Sequence, residues 1–435
     1  MKKILLHVIM FGVTIQESNS TIAGFATIKE GKEQTIRKHH LIGRGKTNMT
    51  IKEACQSLTG EIVKWRREFH RHPELSYAES RTASVVAGML RQFGLDVREG
   101  VNGYGVVADL VGKIPGKTVA LRADMDALAI VEETGLPYAS EVPGIMHACG
   151  HDGHMAALLG AAQILSGMRD RLRGSVRFIF QPAEEIPPGG AIGMIEAGAL
   201  DGVDVIFGLH LWSEFPVGTF YTTQGPMMAA ADLFTVTISG KGGHGGLPHK
   251  TVDSLVIASH LVMASQHIVS RQVNPLDSGV VTFGLLQSGS AFNVIADKAV
   301  LKGTVRSFDP VVRDLLQGRL EQTAASIAQM YGARIDMDYV RGYPAVINHE
   351  REARAAMQEA EPVFGAQHVG IMQPNMAGED FAYYLQKVPG AFCFVGAGLP
   401  EGPVYPHHHP RFVIDERALP LATEWLCRMA LRYVM

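Results

Sequence analysis

The sequence predicts an α/β fold: a sheet covered by helices, with a smaller α+β unit inserted into it. Three observations predict it. Short apolar runs of strand character alternate with segments whose apolar positions recur at helical spacing, the pattern of a sheet covered on both faces. Acidic residues and histidines recur directly after those strands, where such sheets gather their ligands. Between about Ala230 and Tyr343 the order changes to β-α-β-β-α-β, the ferredoxin-like arrangement.

The bulk properties narrow the class. A chain of 435 residues is long enough for two domains and a large core. Its formal net charge of −3 offers no basic field, so no nucleic-acid partner is expected. Past the N-terminus no segment reaches the roughly 18 uninterrupted apolar residues of a membrane span, and no membrane partner is expected. Cys55, Cys149, Cys393 and Cys427 are scattered, which argues against a disulfide scaffold. Lys2 and Lys3 precede an apolar run from Ile4 to Ile15, and Ser18-Asn-Ser20 could be a cleavage site. Against a secretory signal, His7 interrupts the run, residues 21–48 are polar and unpatterned, and a clean start follows at Met49. Residues 1–48 are therefore expected to be a leader or an extension outside the fold. The expected location is cytoplasmic, or exported if residues 1–20 act as a signal.

Taken in order, helical spacing predicts a helix over 51–69, with Arg66, Arg67 and Arg71 on a polar side, broken at Pro73. A second helix over 80–93 ends at Gly94. Two strands follow over 105–111 and 118–122, joined by a turn around Pro115-Gly116. Further strands are expected over 175–180, 203–208 and 391–396. The inserted unit should hold strands over 233–238, 280–286, 298–306 and 334–340, with helices over 251–270 and 310–331. The domain division is then 49–229 and 344–435 for the host, with 230–343 inserted.

The chemistry centres on His147-Ala-Cys-Gly-His-Asp-Gly-His, which sets His147, Cys149, His151 and His154 within eight residues. Imidazole and thiolate are the ligand types that zinc and similar ions prefer. Helix formers follow from Met155, so the cluster is expected in a loop opening a helix, with Asp152 as its cap. The strand ends deliver Asp124, Asp126, Glu184, Glu185 and His210 to the same edge. Cys149, His151, Glu185, His210 and one of His407 to His409 make five ligands. That is too many for one tetrahedral ion and suits two divalent ions sharing a water. Of Glu184 and Glu185, one could coordinate while the other accepts the proton.

The strings Arg122-Ala-Asp-Met-Asp-Ala-Leu, His147-Ala-Cys-Gly-His-Asp-Gly-His, Pro182-Ala-Glu-Glu and Ala377-Gly-Glu-Asp-Phe-Ala-Tyr-Tyr closely resemble one metallo-amidohydrolase family. It includes aminoacylases, hippurate hydrolases, N-acetyl-amino-acid deacetylases and plant auxin-conjugate hydrolases. The resemblance runs from about Ile51 to the C-terminus. It implies cleavage of the amide of N-acyl amino acids, with a peptidase on the same scaffold or a non-catalytic binding homologue as alternatives. By resemblance Cys149, His151, Glu185, His210 and His408 are the ligands of two ions, zinc or manganese, or else nickel or cobalt. Glu184 is then the base, and Asp126, more than Asp124, orients a ligand. His147 and His154 support the site from outside the ligand set. The resemblance also makes the inserted unit a lid that pairs two subunits into a homodimer. His244, flanked by four glycines, would reach across to the substrate carbonyl, while Asn293 and Arg306 hold the substrate carboxylate. Ala129 stands where many relatives carry proline, a departure expected to affect a turn and not the chemistry.

Overall fold

The computed structural model describes residues 40–42 and 48–435. The leader expectation falls outside the described residues, save for a short strand His40–Ile42 paired with Asn48–Thr50. Among the described residues no helix is long and apolar enough to cross a membrane.

An eight-stranded mixed sheet organises the molecule. Across it run Val369–Ile371, Phe220–Thr222, Gly390–Gly398, Val205–Pro216, Ile114–Asp124, Arg173–Gln181, Gly105–Val111 and Asp96–Val101. Its centre is parallel, with Ile114–Asp124 between Val205–Pro216 and Arg173–Gln181. The Asp96–Val101 edge is antiparallel. Strand residues alternate between two cores. Val119 and Leu121 face helices Ile51–Arg71, Ser80–Gln92, His151–Ser166 and Ala418–Val434, whereas Ala120, Ile179, Ile206 and Phe392 face the opposite core. Burial on both faces is why these strands read as continuous apolar runs.

The β-α-β-β-α-β segment forms a second sheet in the order Gly279–Ser288, Lys298–Ser307, Ala230–Ser239, Arg334–Tyr343, antiparallel throughout. Helices Ser254–Arg271 and Pro310–Tyr331 cover it through Ile257, Leu261, Leu316 and Leu320. Asp253 and Asp309 cap them, and Gly332 ends the second at φ 63°.

Four local expectations are corrected. The helix Ile51–Arg71 starts with a Thr50–Glu53 capping box as its sequence suits, but Arg66 does not line a polar side. It is fully buried, with Nε 2.7 Å from Asp152, Nη1 3.2 Å from Glu416, and its guanidinium 5.0 Å from the Tyr138 ring. Pro115-Gly116 is no turn, because the strand runs unbroken from Ile114 and absorbs the dipeptide as a register shift between Ile114 and Lys117. The helix after the His147–His154 run begins within it, at His151, with Gly150 as N-cap at φ 93°. Asp152 therefore caps nothing; its Oδ2 is held by Arg66 and by His70 Nδ1 at 2.8 Å.

Candidate metal centre

Three adjacent strands deliver the centre. Asp124 closes Ile114–Asp124, and Arg173–Gln181 runs into the turn that carries Glu184 and Glu185. His210 was expected just past the end of its strand, yet Val205–Pro216 continues beyond it. Its neighbour pairs only as far as Arg122 opposite Gly208, so His210 lies where that side of the strand is no longer covered by pairing.

The donor atoms converge. Cys149 Sγ and ring nitrogens of His151 and His210 lie within 4.8 Å of one another, as do atoms of Cys149, Glu185 and His408, and of His151, Glu184 and Glu185. Cys149 Sγ is 3.4 Å from His210 Nε2, and His408 Nε2 is 3.4 Å from Glu185 Oε1. His151 Nδ1–H donates to the Asp126 carbonyl at 2.9 Å, and His210 Nδ1–H to the Leu211 carbonyl at 2.9 Å. Both rings are thereby fixed with the Nε2 lone pair turned to the cluster, as metal-binding histidines are.

This donor set fits divalent cations. His151 Nε2 and Glu185 Oε1 are buried without a hydrogen-bond partner, a costly state that coordination would relieve. Burial, then the charges of Glu185 and Glu184, pushes the Cys149 thiol well above its ordinary range. Burial, then Glu379 and Glu185, does the same to Glu184. Such a cluster is short of positive charge, which bound cations provide.

The neighbouring side chains hold the donors in place. Asp126 Oδ2 accepts from Ser76 Oγ at 2.6 Å and from the Glu185 amide at 2.9 Å, while its carbonyl orients His151. Both nitrogens of His154 are committed, Nδ1 to Asp124 at 2.7 Å and Nε2 to the Leu211 amide at 2.9 Å. His147 is buried with neither nitrogen bonded. Of the three C-terminal histidines, His408 falls in a donor cluster, at φ 66° with its amide bonded to the Ala148 carbonyl. His407 instead donates to the Leu211 carbonyl at 3.0 Å and stacks on Trp212, and His409 stacks on Tyr405.

A cavity of about 410 Å³ opens on these groups and is also lined by Arg306, Leu233, Tyr343 and Glu379. Arg306 is half-buried and makes no ion pair among the described residues; its guanidinium bonds the Asp232 and Val305 carbonyls and Thr304 Oγ1. His244 and Asn293 do not line this cavity. His244 sits exposed on Gly243–His244, which pairs with Val294–Ile295, and the Asn293 carbonyl accepts from the Gly245 amide beside it.

Sequence reasoning assigned no role to Arg122, Glu379 or Asp380, although all lie in quoted motifs. Arg122 is fully buried and spans Asp124 at 2.6 Å, Asp380 at 2.8 Å and Glu379 at 3.0 Å. Glu79 was missed altogether. Its buried carboxylate accepts from the Ala183 amide at 2.8 Å, and burial raises it to about 7. Ala183 is held at φ 54°, a strained conformation directly before Glu184. Glu79→Ala should therefore lower kcat by about 10–100-fold with metal content retained, while Glu79→Gln, which keeps an acceptor oxygen, should recover most of it. Equal losses in both variants would mean that the clamp does not aim Glu184.

The profile of peptidase family M20/M25/M40 matches residues 120–432. The chain is 50% identical over 387 residues to YhaA of Bacillus subtilis (strain 168), covering 88% of this chain and 98% of YhaA. It is 45% identical over 332 residues to the N-acyl-L-amino acid amidohydrolase of Geobacillus stearothermophilus, covering 76% and 88% of the two chains. It is 41% identical over 387 residues to thermostable carboxypeptidase 1 of Saccharolobus solfataricus, covering 85% and 95%. The crystal structure of Bacillus subtilis YXEP, described as a dinuclear metal binding peptidase from the M20 family, superposes with a TM-score of 0.74 at 36% identity, over 87% of this chain and 98% of that one. With its donor cluster and cavity at the carboxyl ends of the sheet, the chain belongs to peptidase family M20/M25/M40 and is an amide-bond hydrolase.

Proposed function

We propose that the protein hydrolyses N-acyl amino acids to a carboxylic acid and the free amino acid. The observation that carries this reading is Arg306, a half-buried guanidinium with no carboxylate at ion-pair distance among the described residues, on the wall of the cavity that also holds Glu184 and the donor cluster. Its planar fork suits the α-carboxylate of the substrate. Held by Cys149, His151, Glu185, His210 and His408, two divalent ions (zinc or manganese first, nickel or cobalt as alternatives) would acidify the attacking water and polarise the acyl carbonyl. Glu184 takes the proton of that water and returns it to the leaving amine. Asp126 keeps His151 and the Glu185 backbone in register. Tyr343, whose hydroxyl donates to the Glu184 carbonyl, braces the base from the inserted unit.

Residues 230–343 serve as a lid and dimerisation domain between catalytic portions 49–229 and 344–435. His244 stabilises the oxyanion of a partner subunit, with Asn293 beside it. A mixture of His244→Ala and Glu184→Gln proteins, each nearly inactive, should then recover toward about a quarter of wild-type activity, since mixed dimers carry one intact site. No recovery after verified subunit exchange would place His244 outside a shared site.

A carboxypeptidase reading is favoured by relatives of that name, thermostable carboxypeptidases 1 and 2, and Arg306 would serve a peptide's terminal carboxylate equally well. Product analysis on N-acetyl and N-benzoyl amino acids beside dipeptides separates the two. Faster release from the N-acyl amino acids is expected, and turnover confined to peptides would overturn the proposal.

A further inference from the structure

Beside the metal-site cavity lies a second depression of about 560 Å³ that shares two of its walls, Trp212 and Ala377. Its chemistry differs from its neighbour's. Phe215, Tyr221, Ile371 and Met372 form its body, with Phe215 and Tyr221 rings 4.6 Å apart. Glu214, Gln373 and Asn375 complete the lining, and no lysine, arginine or histidine is among its lining residues. Trp212, which lines both spaces, stacks on His407, at 4.3 Å, and on Phe394, at 4.4 Å. Ile371 is 68% exposed, so a large apolar side chain stands open to solvent at the outer edge.

The walls of the metal-site cavity therefore fall into two chemically distinct sets. Arg306 and Leu233 come from the second sheet, and Arg306 brings a guanidinium with no ion pair among the described residues, whereas Trp212 and Ala377 are shared with the apolar trough. We infer that this trough is the acyl subsite and that the preferred substrates carry long aliphatic or aromatic acyl groups in place of acetyl. This rests on the N-acyl amino acid reading above. With the carboxylate at Arg306 and the scissile carbonyl at the donor cluster, the acyl chain runs past Trp212 and lies against Phe215, Tyr221, Ile371 and Met372. The single carboxylate at Glu214 and the lack of any cation disfavour acyl chains that end in a carboxylate. A fully buried methylene is worth about fourfold in affinity, so one lying in a half-open trough gives about twofold.

The test is kcat/KM on acetyl, hexanoyl, decanoyl, phenylacetyl and succinyl derivatives of one L-amino acid, with the metal-loaded wild type and with Ile371→Asp and Ile371→Ser. Hexanoyl adds four methylenes to acetyl and should be hydrolysed at least about tenfold more efficiently. Succinyl should be poorer than hexanoyl. Ile371→Asp should lower the hexanoyl-to-acetyl ratio by about fivefold or more, and Ile371→Ser by less, a graded change that a folding defect would not confine to one acyl length. Acetyl equal to or better than hexanoyl, or a ratio unmoved by both variants, would overturn the acyl subsite while leaving N-acyl amino acid hydrolysis standing. Absence of turnover on every acyl substrate, with peptides cleaved, would overturn both.

Discussion

Glu184→Gln should keep the fold and the full metal content yet lower turnover by about 10²–10⁴-fold, the usual contribution of a general base. Glu184 is buried at the cavity wall, beside the donor atoms of His151 and Glu185. Its neighbour Glu185 has the atoms suited to coordination: Oε1 lies 3.4 Å from His408 Nε2 and 3.9 Å from His151 Nε2, without a hydrogen-bond donor. The glutamine amide has nearly the volume and shape of the carboxylate it replaces, so the principal loss is proton acceptance. Metal analysis beside the kinetics decides the point. Loss of metal in Glu184→Gln with retention in Glu185→Gln would show that the two roles are exchanged.

The second large effect is on stability. Arg122→Met should cost about 3–5 kcal/mol at pH 8, because removing one partner leaves buried charges uncompensated. Three carboxylates, Asp124, Glu379 and Asp380, lose the same guanidinium, and Gln181 loses the bond its Oε1 accepts from Arg122 Nε at 2.9 Å. Burial already holds Glu379 and Asp380 above the ordinary carboxylate range, although Arg122 opposes it. A carboxylate with a raised folded pKa contributes its full stability below the unfolded value of about 4 and loses it as pH rises through the folded value. Without Arg122 those folded values climb further, so the deficit should be larger at pH 8 than at pH 5. Urea unfolding at both pH values reads this directly, and a deficit that is flat with pH would mean the three acids do not depend on Arg122.

Except for the outer strands Asp96–Val101, Phe220–Thr222 and Val369–Ile371, both sheets were legible because their strands carry clear apolar runs and their helices are bounded by strong signals, such as Asp309-Pro310 and Gly332. Two long helices, Glu350–Phe364 and Ala418–Val434, were not. Each contains a proline, Pro362 near the end of one and Pro420 in the first turn of the other, a residue that weakens the helical signal. The clustered donor residues were legible from their chemistry and from the resemblance. Their supports were not, since Arg66 and Arg122 look like ordinary surface cations until the fold buries them among acids distant in sequence. Glu79 gave no signal at all, because its partner is a backbone amide 104 residues away.

Metal stoichiometry tests the central claim most directly. Protein stripped with a chelator and reconstituted with zinc or manganese should bind two ions per chain. Cys149→Ser should lower that affinity and be rescued only partly by excess metal, because a neutral hydroxyl replaces a soft ligand. Cys55, Cys393 and Cys427 are buried away from the donor clusters, and serine there should leave the stoichiometry at two. A reconstituted protein that binds no ion, or one whose content falls equally at all four cysteines, would contradict a metal centre built on Cys149.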